Sequence, residues 1–438
     1  MGQRTGFLSG RGVLSRYAEN DRGISDDELV DAIKESIVPL LPGLKKVLLL
    51  PPDFTRFHSK AGRIVQILCE LLEPACAWDI MPALGTHEPM SQAECAAFFG
   101  ADIPYDKLIK HDWRNDVISL GEVPAAFVSE VSGGLMNEAV TVKVNRRIMD
   151  PAYDLVISIG QVVPHEVVGM ANHNKNIFVG CGGSSMINSS HMIGAFYGME
   201  RMMGRDKTPV RKILDYAQEH FLHEVPLLFF QTVTTAVERD ITLHGLFVGS
   251  GRETFEKAVA LSQLKNITML DRPLKKVVVF LDEQEFKSTW LGNKSIYRTR
   301  MAIGQGGALV VLAPGVAKFG EDPENDRLIR KYGYVGRLRV LELFRQNRDM
   351  QENQSVPAHL IHGSSDGKFS ITYATRKLTR DEVEGVNFQY AAYDQMIKRY
   401  NPKELREGYN TMPDGEEIFF IGNPALGLWA NRESFRGE

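Results

Sequence analysis

Residues 154–191 read DLVISIGQVVPHEVVGMANHNKNIFVGCGGSSMINSSH. After Asp154, LVISIG is an almost unbroken apolar run with no alternating polar face, which predicts a strand covered on both sides, as in the interior of a parallel sheet. A longer, polar stretch then holds His165, Lys175 and His191 at intervals of ten and sixteen. A base, an amine nucleophile and a metal-ligating imidazole therefore crowd one strand end, the place where α/β proteins put their chemistry. The combination argues for an enzyme.

Upstream, KVLLL (46–50) reads as a buried strand ending in PPDFTR, AGRIVQILCELL (61–72) as a helix, and AWDIMPAL (77–84) as a strand ending in GTH. Ser25 with Glu28 and Ser91 with Glu94 have capping-box spacing, so helices open at both places, the first running to about Pro39. Downstream, Thr208 and Pro209 fit the N-cap and first position of the helix VRKILDYAQEHF, and LLFFQTV and ITLHGLFVG read as strands. Strands alternating with helices of this length predict an α/β fold of two domains, each a mostly parallel sheet flanked by helices, with the active site in the cleft between them. The pattern pauses at NITMLDRPLKK (266–276) and restarts at VVVFLD, which sets the domains at 1–270 and 271–414, with 415–438 expected to pack back on the first.

A chain of 438 residues, 43% hydrophobic and 24% charged, is globular material for two or three domains. Its net charge of −4 is spread along the chain, so neither nucleic acid nor a lipid surface is an expected partner, and a small molecule is. Four scattered cysteines with no C-x-x-C pair, no signal-like apolar stretch and no long apolar run fit a cytoplasmic setting. Oligomeric state is not legible.

The other candidates also follow strand ends. Asp53 and Arg56 of PPDFTR can grip a carboxylate, an Arg fork being matched to one, although an isolated D-x-x-R is more often a plain ion pair. His87 of LGTHE is by itself an ordinary loop histidine; with His165 it makes two imidazoles able to serve as acid and base near neutral pH. Lys175, at the start of an apolar run, is a nucleophile if desolvated and a surface lysine if not. Lys294 of WLGNK falls on a helix early in the second domain. GCGG (180–183) and GQGG (304–307) could form amide nests for phosphate, but neither stands in a G-x-G-x-x-G frame. The H-E pairs at 87 and 165 lack a second histidine four residues after the first, and G-x-S-x-G and Walker A are absent, so zinc-peptidase, serine-hydrolase and P-loop readings fall.

D-F-T-R, then G-T-H, then P-H with a lysine ten residues on and a histidine sixteen after it, then a lysine early in a second domain, resembles the lactate racemase family. The resemblance implies a covalently bound nickel-pincer nucleotide, pyridinium-3,5-bisthiocarboxylic acid mononucleotide nickel, tethered through Lys175 with His191 as the protein ligand to nickel. It implies that His87 and His165 flank the α-carbon of a 2-hydroxy acid as acid and base while hydride passes reversibly to the cofactor. Arg56 and Lys294 would hold the carboxylate and oxyanion, with Asp53 orienting them, and cofactor-synthesis enzymes would be transient partners.

Three departures bear on the substrate. The lysine sits in N-H-N-K-N, with His173 nearby, rather than among small residues; Leu291 stands where the family tends to have glutamine; and HLIHGSSDGK (359–368) lies where a second-domain tryptophan is usual. More polar groups suit a polyhydroxylated acid, so an aldonate 2-epimerase is the leading expectation. Racemisation of lactate or another short 2-hydroxy acid is the alternative, and a non-catalytic small-acid binding protein the alternative of another class.

Overall fold

The computed structural model describes Leu8 and residues 12–18, 20–237 and 240–436; most of the Gly-rich leader lies outside these. The chain divides into two compact units, one made of residues 1–193 and 203–266, the other of 194–202 and 267–438.

The first unit contains β1 (Leu14–Tyr17), β2 (Lys46–Leu50), β3 (Ala77–Ile80), β4 (Val117–Val123), β5 (Val140–Asn145), β6 (Leu155–Gln161), β7 (Pro164–His165), β8 (Gly169–Met170), β9 (Leu227–Val237) and β10 (Asp240–Gly249). Among the described residues, one sheet runs in the order β1-β10-β9-β6-β2-β3. Its β9-β6-β2-β3 part is parallel, and β10 and β1 extend it antiparallel at one edge. β6 is buried along its whole length, as expected of a central strand with both faces covered. The chain goes from β2 out to β3 and returns to place β6 on the other side of β2. The carboxyl ends of β2 and β6 therefore flank a topological switch point, where a crevice opens in this kind of sheet.

Local chemistry places the helices that cover this sheet. The helix Asp26–Ile37 is capped reciprocally: Glu28 N–H donates to Ser25 Oγ at 3.2 Å, and Ser25 N–H to Glu28 Oε2 at 2.8 Å. It ends at Ile37; Val38 still has helical backbone (φ −54°, ψ −40°) and donates to Lys34 O, and Pro39, which has no N–H, cannot extend the ladder. Ser91 and Glu94 repeat the device at Gln92–Phe99, and Thr208 and Pro209 start Pro209–Phe221. Val47, Leu49, Ile157 and Ile159 of the sheet pack with Ile64, Val65 and Leu68 of the helix Ala61–Leu72. Each such fully buried side chain contributes roughly 1.5–3 kcal/mol.

The second unit contains β11 (Ile267–Leu270), β12 (Leu274–Phe280), β13 (Ile303–Leu312), β14 (Phe369–Thr375), β15 (Gln389–Ala392), β16 (Gly408–Thr411), β17 (Glu417–Ile421) and β18 (Leu428–Asn431). Among the described residues its main sheet has the order β15-β14-β13-β12-β17-β16, parallel except at β16.

Several sequence expectations shift here. The stretch from 415 onward, expected to pack on the first domain, falls in the second unit, where β17 pairs with β12 and β18 with β11, because apolar EIFFI and LWAN find parallel partners there. β11 itself occupies the stretch read as a pause. GQGG lies within β13 at a register shift, with Gly306 at φ 73° and its N–H donating to Lys368 O at 2.8 Å, so that amide is already paired. The helix expected around Lys294 is broken into two single turns, Thr289–Gly292 and Lys294–Tyr297. Among the described residues no helix is long and apolar enough to cross a membrane.

Candidate active site

Asp53 follows β2 and caps the short helix Phe54–Ser59, accepting from Thr55 N–H at 3.1 Å. It is 5% exposed. Its carboxylate partner is the His87 ring, Nδ1 to Oδ2 at 2.5 Å, and not Arg56, so the plain D-x-x-R ion pair is not what the chain builds. Burial opposes ionisation of Asp53, but the hydrogen bonds from His87 and Thr55 and the nearby Arg56 charge outweigh it and hold the carboxyl below the usual carboxylate range. An ionised Asp53 fixes the tautomer of His87. Nδ1 carries the proton and donates, so Nε2 presents a lone pair.

His165 has the opposite arrangement. It ends the two-residue strand β7, is 8% exposed, and its Nδ1 accepts from Val167 N–H at 3.1 Å. Burial holds its pKa well below the ordinary value against the pull of Glu166; the charges of Lys175, Arg56 and His191 push the same way as burial. A neutral imidazole that accepts at Nδ1 must carry its proton on Nε2. One imidazole thus offers a base and the other a neutral hydrogen-bond donor.

Lys175 begins neither a strand nor an exposed turn: the π-helical turn Asn176–Gly180 follows it, and π turns tend to occur at functional sites. Burial, then the Arg56 charge, lowers the Lys175 pKa to about 8, with Glu166 and Asp53 opposing. A substantial fraction of this amine is therefore neutral near physiological pH, as a nucleophilic lysine requires.

The N-H-N context of that lysine is structural. Asn172 Nδ2 donates to Gly160 O at 2.7 Å, Asn176 Nδ2 to Ile159 O at 3.0 Å, and Asn174 Nδ2 to Asp215 Oδ1 at 2.7 Å, tying the loop to the end of β6 and to the helix Pro209–Phe221. Asn172 and His173 both adopt left-handed backbone, with φ of 69° and 58°. His173 packs against Phe229 and Phe255, with centroids 4.1 and 5.2 Å away. Arg211, fully buried, donates to Asn174 Oδ1 and to the carbonyls of Asn172 and Met170, and its guanidinium lies 4.2 Å from the Phe255 ring. These polar side chains are spent on holding the loop, so they do not form a polar lining as the sequence reading expected. GCGG is similarly engaged: Gly183 N–H donates to Lys143 O at 3.2 Å.

His191 sits in the helix Ser184–Tyr197, and its Nδ1 donates to Ile187 O at 2.6 Å. Burial lowers its pKa and favours the neutral ring, which with Nδ1 donating carries its lone pair on Nε2. A backbone carbonyl orienting one imidazole nitrogen so that the other binds is the usual support of a metal-ligating histidine. Among the described residues no cluster of three His, Cys, Asp or Glu could hold a metal unaided.

Asp53, Arg56, His165, Lys175 and His191 thus feel one another's charge at one end of the first unit, with His87 joined through Asp53. Lys294 belongs to the second unit, as the first residue of its single-turn helix, with its ammonium 5.6 Å from the Phe286 ring. Glu166 and Arg211 were missed from sequence. The signal for Glu166 was its adjacency to His165; nothing marked Arg211, whose role comes only from burial.

The fold and site define a two-unit α/β protein with a low-pKa lysine and oriented imidazoles at the carboxyl ends of a parallel sheet. Residues 32–203 match the model of the lactate racemase N-terminal domain. Over that stretch, less than half of its length, the chain is similar to the N-terminal domain of lactate racemases. A crystal structure of a Thermotoga maritima protein matches over 95% of this chain and 100% of its own, at 24% identity and a TM-score of 0.80. The lactate racemase apoprotein from Thermoanaerobacterium thermosaccharolyticum matches over 91% of this chain and 88% of its own, at 15% identity and a TM-score of 0.68. These two likenesses establish the shared two-domain fold. No curated protein matches the chain.

Proposed function

We propose that the chain is an isomerase that inverts C2 of a 2-hydroxy acid. The family match supports a racemase at that level of description, and the single observation that carries the reading is the opposed tautomers of His87 and His165. Inversion through a planar keto acid needs a proton acceptor on one side of C2 and a donor on the other. Two histidines held alike would not supply both at once.

In this reading His87 Nε2 takes the hydroxyl proton, and Asp53 stabilises the imidazolium that forms. His165 Nε2–H donates a hydrogen bond to the same oxygen from the opposite side and polarises the carbonyl, and the proton returned to that oxygen is the one His87 took, since a neutral imidazole that released its own would be left as an imidazolate. Arg56 holds the substrate carboxylate through its planar fork, and Lys294 is assigned to the oxyanion. The residues present fit the nickel-pincer nucleotide: the Lys175 amine is neutral enough to be acylated, and His191 offers one lone pair to a metal whose remaining donors come from the nucleotide. When bound, that group supplies a reversible acceptor for hydride from C2, chemistry no side chain provides.

For the substrate we propose a sugar acid of the aldonate class. With the N-H-N side chains engaged in structure, the support that remains is the polar run HLIHGSSDGK (359–368) of the second unit. All four cysteines are free thiols, which supports a reducing, cytoplasmic setting. The test is to load the chain by coexpression with cofactor-synthesis enzymes. Intact mass should rise by one nickel nucleotide, the increment should vanish in Lys175→Ala, and chiral chromatography should show C2 inversion on a panel of lactate, malate and aldonates. A loaded chain that inverts none of them overturns the proposal.

A further inference from the structure

Lys175 and His191 are read as the two protein attachments of one bound group, so their separation has to be fixed. Between them runs a short link, Cys181–Gly183, from the end of the π turn to the start of the helix that carries His191. The link is pinned to β5. Asn145 N–H donates to Cys181 O at 2.8 Å, Gly183 N–H donates to Lys143 O at 3.2 Å, and Gly182 bridges Val144. Gly182 also lies against the π turn: a Cβ there would stand 1.8 Å from Phe178 O, so no larger residue fits unless the backbone shifts.

Gly182 O is served from elsewhere, by His111, 71 residues earlier in the chain. This histidine is 3% exposed and lies in neither a strand nor a helix. Its Nε2 donates to Gly182 O at 3.2 Å, and its Nδ1 accepts from Asn145 Nδ2 at 3.0 Å. The Asn145 amide is held in that orientation at both ends: Oδ1 accepts from Arg147 N–H at 3.0 Å, and Nδ2 donates also to Asp116 Oδ2 at 3.2 Å. A carbonyl only accepts and an amide nitrogen only donates, so the His111 proton is on Nε2. Burial pushes the His111 pKa below the ordinary imidazole value, against the hydrogen bond to Gly182 and the charges of Asp116 and Asp112. With both ring nitrogens engaged, this neutral imidazole has no proton or lone pair left for a substrate, and it acts as a strut between Asn145 and the link.

We infer that His111 is a positioning residue: by holding Gly182 O it sets the separation between the Lys175 amine and the His191 ring, with Asn145 orienting the imidazole. The inference rests on the reading of Lys175 as tether and His191 as nickel ligand, but on neither the identity of the acid nor the roles of His87 and His165.

Two substitutions separate the two bonds of the ring. The longer amide of His111→Gln can reach the place of Nε2 and keep a donor on Gly182 O; the amide of His111→Asn stops at the place of Nδ1 and leaves Gly182 O unserved. Both lose a buried hydrogen bond and should lower the unfolding temperature alike. In the cofactor-free His111→Asn chain the loosened π turn should admit water to Lys175. Its acylation midpoint should then rise from about 8 toward the ordinary lysine value, and a rise of about one unit cuts modification at pH 8, read by peptide mass spectrometry, about fivefold. In the loaded chain, His111→Asn should lose nickel to EDTA about tenfold faster than native. Its nucleotide mass should remain, and kcat should fall with KM for the acid near native. His111→Gln should recover acylation, nickel retention and kcat to within about threefold of native. Nitrogen-15 shifts of the native chain should show the His111 ring protonated on Nε2 and unprotonated on Nδ1; the reverse tautomer overturns the inference without any variant. So does a folded His111→Asn chain with native acylation midpoint and native nickel retention, or equal losses in His111→Gln and His111→Asn. Nucleotide mass retained in Lys175→Ala, or full nickel in His191→Ala, overturns instead the reading of tether and ligand. Where those two controls behave as expected, a silent His111→Asn removes the strut alone.

Discussion

Replacing Asp53 by asparagine tests the claim that the two imidazoles are held in opposite tautomers. The asparagine retains the size of the aspartate and can still accept from Thr55 N–H, 3.1 Å away in the native chain. With its carbonyl oxygen so engaged, its amide N–H₂ faces His87 and donates to Nδ1, which moves the imidazole proton to Nε2. At Nε2 a proton acceptor becomes a hydrogen-bond donor. At the native separation of 2.5 Å and an effective dielectric of about 20, carboxylate and imidazolium attract by roughly 7 kcal/mol. The His87 side chain is 54% exposed, so water screens much of this. About 1.5–3 kcal/mol, the worth of a charge-assisted hydrogen bond, is the appropriate figure, or roughly 10- to 100-fold in rate. Inverting the tautomer adds to it, and loss of a general base costs about 10²- to 10⁴-fold. The loaded Asp53→Asn enzyme should therefore fall by about 10²-fold or more in kcat, in both directions of the isomerisation, with nickel content near that of the native enzyme. Nitrogen-15 shifts of the His87 ring should show Nδ1 unprotonated in the variant and protonated in the native chain. Activity within about threefold of native, or an unchanged tautomer alongside lost activity, would refute the reasoning.

The remaining predictions concern the cofactor side of the site and its scaffold. Because burial lowers the Lys175 pKa to about 8, modification of this amine by an acylating reagent in the cofactor-free chain should rise with a midpoint near pH 8, read by peptide mass spectrometry. Arg56→Met, which removes a repelling cation, should move that midpoint up. The sign for stability follows: the folded state binds fewer protons than the unfolded chain between about pH 8 and the ordinary lysine value near 10.4, so this group adds stability as pH rises through that window. His191→Ala should lose nickel while retaining the nucleotide mass, whereas His165→Ala should retain nickel and lose inversion; full nickel in His191→Ala would refute the ligand assignment. Arg211→Met removes a fully buried cation and leaves Asn174 and two carbonyls without their donor. It should lower the unfolding free energy by about 3–5 kcal/mol in urea titration, and a loss under 1 kcal/mol would deny Arg211 its structural role.

Much of the fold was legible because local rules and tertiary demands agree. Ser25, Ser91 and Thr208 cap helices where their spacing says they should, and LVISIG is buried along its length as an unalternating run requires. The misreadings arose where the partner was remote in sequence. β11 looked like a break at a proline because its partner β18 lies about 160 residues away. The polar N-H-N loop looked like a binding surface because Arg211 and Gly160, which consume its hydrogen bonds, are not local to it.

By itself the amino-acid order determined the chemical inventory and the strand ends at which Asp53, His87, His165 and Lys175 fall, since backbone periodicity and capping act over a few residues. Only tertiary structure decided what those groups are. Which nitrogen of each imidazole holds the proton, that Lys175 is depressed to about 8, and that Asp53 serves His87 instead of Arg56 all depend on desolvation and on hydrogen-bond partners brought in from distant segments. Electrostatic character is a property of the surroundings, and the surroundings exist only once the chain has folded.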